Sequence, residues 1–108
     1  MKRFVAVNFI TCEPHYRERF EYLFGTRAKA IDTMPGFISM QVLKPDTESD
    51  PYLIVSHWEG EEFFKAWVGS PEFIEGHKRG FEDMKEAKAQ GETAPLASTF
   101  RTYSVLTD

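Results

Sequence analysis

Apolar and polar positions along this chain fall into short segments with distinct periods. Residues 3–10, RFVAVNFI, are rich in β-branched and aromatic side chains and stop at Thr11-Cys12-Glu13-Pro14, which predicts a first strand. Pro14 suits a first helical turn, and Tyr16, Phe20, Leu23, Phe24 and Ile31 follow at helical spacing, predicting a helix over about 14–32. Met34-Pro35-Gly36-Phe37 breaks it. FISMQVLK (37–44) and YLIVSHWE (52–59) read as the two strands of a hairpin joined by the turn-forming PDTESD. A second helical region starts near Gly60 and carries Phe63, Phe64 and Trp67. Ser70-Pro71-Glu72 supplies a hydroxyl cap, a proline at the first helical position and an acid in the positive first turn. The helix it starts has Phe73, His77 and Phe81 on one stripe. Residues 83–97, DMKEAKAQGETAPLA, read as a polar tail leaving the helix for a mobile loop, and STFRTYSVL (98–106) as the last strand.

The order strand, helix, strand, strand, helices, strand predicts an α+β fold of ferredoxin-like type, an antiparallel sheet with helices on one face. The strands do not alternate as a sheet with one wet face should. Phe4, Ala6 and Ile10 face one side of the first strand while Val5, Val7 and Phe9 face the other, and Tyr52, Ile54 and Trp58 oppose Leu53 and Val55. Helices can cover one of these faces. A second copy packing sheet to sheet would cover the other, so the pattern predicts a homodimer.

At 108 residues the chain is read as one domain spanning 1–108, and its 42% hydrophobic and 28% charged content is that of a folded protein. A net charge of −4 disfavours a broad nucleic-acid footprint, since phosphate binding needs clustered Lys and Arg. The single cysteine, Cys12, has no partner for an internal disulfide, and neither a C-x-x-C-H motif nor a zinc-type pair occurs. No apolar run approaches the ~20 residues of a membrane span and no cleavable leader is evident, so no membrane insertion and a cytoplasmic location are expected. Aromatic residues reach 15%, enough for a dense core or for the walls of a pocket that takes something flat.

Three side chains could carry chemistry. Asn8 is a polar amide in line with Phe4, Ala6 and Ile10, and either bonds a backbone group nearby or faces a ligand atom. Trp67 is core filler or a rigid wall. His77 is flanked by Phe73 and Phe81, with Gly80 leaving room for a planar molecule; Lys78 and Arg79 would sit near carboxylates or on a solvated face. A neutral imidazole in an aromatic pocket is the commonest protein ligand for heme iron. His15 and His57 lack such a setting and read as structural.

The stretches GTRAKAIDTMPGFISMQVLKP and PYLIVSHWEGEEFFKAWVGSPEFIEGHK, with the early FVAVNFI, resemble the IsdG-type heme-degrading monooxygenases of the antibiotic-biosynthesis-monooxygenase-like superfamily. The resemblance runs from the first strand to about Gly80 and is weakest from Phe81 to Ala97. It implies two sheets paired as a dimeric α+β barrel. It also implies His77 as axial iron ligand, Asn8 as a hydrogen-bond donor on the opposite side of the ring, and Trp67 as the residue that bends the macrocycle. Phe24 and Arg27 match pocket residues of the first helix, and Phe73 and Phe81 would join them around the heme. The implied activity is heme oxygenase: heme as substrate and cofactor, opened by O2 with electrons from an unidentified external reductase, releasing iron. Two other readings stay open, a non-catalytic heme carrier or sensor and a cofactor-free quinol monooxygenase of the same fold.

Overall fold

The computed structural model describes residues 3–108. Its strands are β1 (Phe4–Cys12), β2 (Phe37–Leu43), β3 (Tyr52–Trp58) and β4 (Leu96–Ser104), and its α-helices are α1 (Arg17–Gly25), α2 (Glu61–Val68) and α3 (Pro71–Ala89). The strands form one open antiparallel sheet in the order β2-β3-β1-β4. This is the expected ferredoxin-like α+β arrangement, with both hairpin strands where the periodicity put them.

Register divides the sheet into two faces. Phe4, Ala6, Asn8, Ile10 and Cys12 of β1 lie opposite Trp58, Ser56, Ile54 and Tyr52 of β3, so these residues share the face that the helices cover. The core on that face is split into two clusters. The first gathers Phe4, Ala6, Ile31, Trp58 and Trp67; the second gathers Ile10, Cys12, Tyr16, Phe20 and Tyr52. Trp58 is fully buried, takes the edges of Phe37 and Phe64, and satisfies its indole N–H on Ser56 Oγ at 2.9 Å. On the other face lie Val5, Val7 and Phe9 with Leu53 and Val55, and no helix packs there.

Three expectations about boundaries need correction. The first helix does not run from 14 to 32: a 3-10 turn at Pro14–Tyr16 leads into α1, which ends at Gly25. Thr26 closes it, its Oγ1 donating to the Tyr22 carbonyl at 2.7 Å. Ile31 reaches the core from a separate 3-10 turn, Ala30–Thr33, so its helical spacing reported burial but not continuity. The expected loop over 83–97 is helix as far as Ala89, because its Glu, Lys and Ala are strong helix formers and Asp83 is anchored to the first helical segment. Gly91, at φ +74°, supplies the left-handed stop. The last strand begins at Leu96, pairs with Cys12, and ends at Ser104.

The restart at Ser70 forms as the sequence predicts: Ser70 Oγ accepts from the Phe73 amide at 3.2 Å and Pro71 opens α3. Gly36, at φ +76°, turns the chain into β2 at a point where a Cβ would collide with the Phe63 ring. Both the backbone conformation and the ring demand glycine there. Gly36→Ala should therefore lower stability by about 1–3 kcal/mol from the φ alone. Urea unfolding reads this as a fall in midpoint, and an unchanged midpoint would show that the turn relaxes freely.

Candidate functional site

α3 lies across both core clusters. Its half-buried residues Phe73, Gly80, Met84 and Ala87 recur at helical spacing and define its inward face, yet none of its 19 residues is fully buried. Phe73 rests against the first cluster and Met84 against the second. From Phe73 to Met84 the helix rises about 16 Å, and from Ala6 to Ile10 the strand rises about 13 Å. The two supports are thus spaced alike on helix and sheet. Asn8 sits between them on β1, and His77 and Gly80 sit between them on α3.

Asn8 Oδ1 is buried and has no hydrogen-bond partner among the described residues. The bland expectation, a cap on a nearby backbone group, is not met through this atom. An orphaned amide oxygen inside a fold costs about 1–3 kcal/mol. On β4, Phe100 lies directly opposite Asn8 on the same face, 47% exposed and stacked on Phe64 at 5.6 Å.

His77 is exposed, and its Nδ1 lies 2.7 Å from the Phe73 carbonyl. A carbonyl only accepts, so Nδ1 carries the proton and the neutral ring keeps its lone pair on Nε2. The rings form a row: Trp67 to Phe73 at 5.5 Å, Phe73 to His77 at 4.1 Å, and His77 to Phe81 at 5.7 Å. Trp67 belongs to the first core cluster at 8% exposure, while Phe81 is 54% exposed and encloses little.

A cleft of about 440 Å³ opens between α1 and β2. Phe24 and Arg27 line it, with Phe20, Met40, Lys29 and Lys44, whereas Asn8, Trp67 and His77 do not. Its walls are apolar with a cationic rim. Glu21, also on this cleft, is held below the usual carboxylate range by the Tyr52 hydroxyl, which donates at 2.5 Å, and by Lys44 at 3.2 Å. Burial and that same carboxylate push the Tyr52 phenol up to about 12. The candidate residues thus fall in two neighbouring groups, one around the middle of α3 and one at the end of α1.

Arg79 joins the two groups. Its guanidinium donates to Thr26 Oγ1 at 2.9 Å, to the Leu23 carbonyl at 3.1 Å and to the Thr26 carbonyl at 3.2 Å. It therefore satisfies the free carbonyls at the C-terminus of α1 and is neither a solvated cation nor a free partner for a ligand carboxylate. Lower down, Tyr16 donates to Asp83 Oδ2 at 2.5 Å and Arg19 Nε to the same oxygen at 2.9 Å. Neither latch was foreseen, since each joins residues far apart in sequence. Cys12 is buried, and burial raises its thiol above its ordinary value, which disfavours the reactive thiolate.

Residues 3–79 match the family model described as antibiotic biosynthesis monooxygenase. This chain belongs to that family. Among relatives of the antibiotic biosynthesis monooxygenase chain, the mycobilin-producing heme oxygenase of Mycobacterium tuberculosis is 36% identical over 67 residues, covering 62% of this chain and 64% of the relative. This chain thus spans just under two thirds of that relative's length. The solved structure of the heme-degrader MhuD from Mycobacterium tuberculosis, with two hemes bound in its active site, is similar with a TM-score of 0.69 and 26% identity, covering 97% of each chain. SnoaB of Streptomyces nogalater, a cofactor-independent oxygenase, is similar with a TM-score of 0.70 and 18% identity, covering 100% of this chain and 97% of that one. SnoaB speaks for the family fold alone.

The Asp83 latch carries a pH dependence. The Arg19 hydrogen bond, followed by that of Tyr16, holds the Asp83 carboxyl below its ordinary value. A depressed carboxylate stabilises the fold above its unfolded pKa of about 3.9 and loses that contribution as pH falls through the folded value. Asp83→Asn should cost about 1 kcal/mol at neutral pH, a modest figure because Arg19 is half-exposed. As pH falls below about 4 the gap between the melting temperatures of native and variant should narrow, closing once pH is under the depressed folded value. A constant gap across that range would show that the charge contributes nothing.

Proposed function

We propose that this protein is a heme-degrading monooxygenase that holds heme against the middle of α3, opens the porphyrin with dioxygen and externally supplied electrons, and releases iron. Two features support the reading: the orphaned Asn8 amide on the helix-covered face of the sheet, and a histidine on α3 whose Nδ1 is committed to a carbonyl. The donor set fits the ligand: an imidazole with Nε2 unbonded and the aromatic rings beside it suit heme iron. The names of the mycobacterial relative and of the heme-bound structure support the same reading.

When bound, heme supplies a redox-active iron and the carbon framework that is oxidised. His77 Nε2 would hold the iron through its lone pair, while the Phe73 carbonyl accepts the Nδ1 proton and so sets the tautomer and the ring orientation. Asn8 would offer a carboxamide that can bond a polar group without delivering a proton to it. Trp67 presses from the first cluster through Phe73, and together these rings exclude water. Phe24 and Arg27, on the neighbouring cleft at the end of α1, would take a ring edge and a carboxylate, and the exposed Phe81 would add one ring beside His77.

The same reading includes a homodimer formed through the open apolar face of Val5, Val7, Phe9, Leu53 and Val55, an external reductase as electron donor, and a cytoplasmic location. Among the described residues no helix is long and apolar enough to cross a membrane. The second reading is a cofactor-free quinol or small-aromatic monooxygenase, which the same fold can also house.

Hemin added to the purified protein should give a Soret band that bleaches when ascorbate is supplied in air, and His77→Ala should weaken specific binding at least about tenfold, in line with loss of an axial ligand. A Soret band that persists under reduction would make the protein a carrier or sensor. Weak hemin binding, indifferent to His77, would favour the cofactor-free reading.

Asn8→Val separates stability from activity. Removing an unpaired buried amide should stabilise the heme-free protein by about 1 kcal/mol, while the rate of Soret loss falls about tenfold or more. Equal bleaching rates in native and variant would remove Asn8 from the chemistry.

A further inference from the structure

Gly80 lies at the centre of the inward face of α3, half-buried like Phe73, Met84 and Ala87 around it. Yet a Cβ placed on Gly80 would meet no atom within 4 Å. The position faces inward, yet the space beside it is open, as it also is at the exposed Gly76 earlier in the helix. A glycine in the interior of a 19-residue helix weakens that helix relative to alanine, because the unfolded chain gains more freedom than the folded one. The common reasons for keeping it do not apply. Its φ is not positive, and no side chain or backbone uses the room, in contrast to Gly36 against Phe63. The heme-free fold by itself would be more stable with a larger residue at position 80.

We propose that Gly80 is a clearance residue, which keeps the underside of α3 bare one turn from His77 so that a planar macrocycle can lie against the helix. The proposal rests on the heme reading and deepens it. A macrocycle held through His77 Nε2 would be wider than one helical turn, which advances about 5.4 Å. An inward side chain on the next turn would meet the ring. The large inward residues Phe73 and Met84 stand at the two ends of the interval, where they support the helix, and the middle is left without a side chain.

The test uses the native chain, Gly80→Ala and Gly80→Leu, with two readouts: the melting temperature of the heme-free protein and the hemin affinity from Soret titration. Gly80→Ala should raise the melting temperature by a few degrees and weaken hemin binding at least about tenfold. Gly80→Leu, which fills the interval, should leave the heme-free protein at or above native stability and weaken binding further. Native affinity in both variants would overturn the clearance role and leave the heme reading intact. A lowered melting temperature in both would also overturn it, since the glycine would then serve packing. If the native chain takes up no hemin at all, the heme reading fails and the clearance role with it.

Discussion

The support of α3 at two points decides the shape of everything near it. Phe73 rests on one apolar cluster, Met84 on the other, and the helix between them buries no residue completely. A helix that packed along its whole inward face would bury more apolar area, at roughly 25 cal/mol per Å². Here that burial is concentrated at the ends. The Arg79 fork and the Asp83 latch then fix α3 against α1 through hydrogen bonds that join sequence positions more than fifty residues apart.

Two residues break local rules inside this arrangement, and they stand in the same interval. Asn8 leaves an amide oxygen buried without a partner, and Gly80 places the weakest ordinary helix former where space is free. Other local choices agree with the fold, as with the Ser70 cap, the Gly36 turn and the Gly91 stop, while Arg17 Nε is a second buried polar atom without a partner.

The family fold does not by itself select the chemistry. A heme-degrading protein and a cofactor-independent oxygenase both resemble this chain in backbone. What distinguishes the heme reading is the side chains: a histidine with Nδ1 committed to a carbonyl, an unpaired carboxamide, and the row of rings from Trp67 to Phe81. The nearby cleft adds Phe24, Arg27 and Lys29, with Lys44 already paired to Glu21 on the same wall.

Local pattern and capping chemistry predicted the four strands, the hairpin and the helix start at Ser70 and singled out Asn8, Trp67 and His77, because these depend on near neighbours in the chain, while Phe24 and Arg27 came from the family resemblance. It misjudged the first helix, since Ile31 keeps helical spacing while reaching the core from a separate turn. It also misread 83–89, where the anchor of Asp83 comes from Tyr16 and Arg19. Tertiary structure decided the rest: that Arg79 closes α1, that Trp67 sits in the core, that Phe24 and Arg27 line a different cleft from His77, and that Asn8 has no partner. Each of these is a matter of what lies across a gap in space, and that depends on how two clusters and three helices pack, which no spacing along one chain encodes locally.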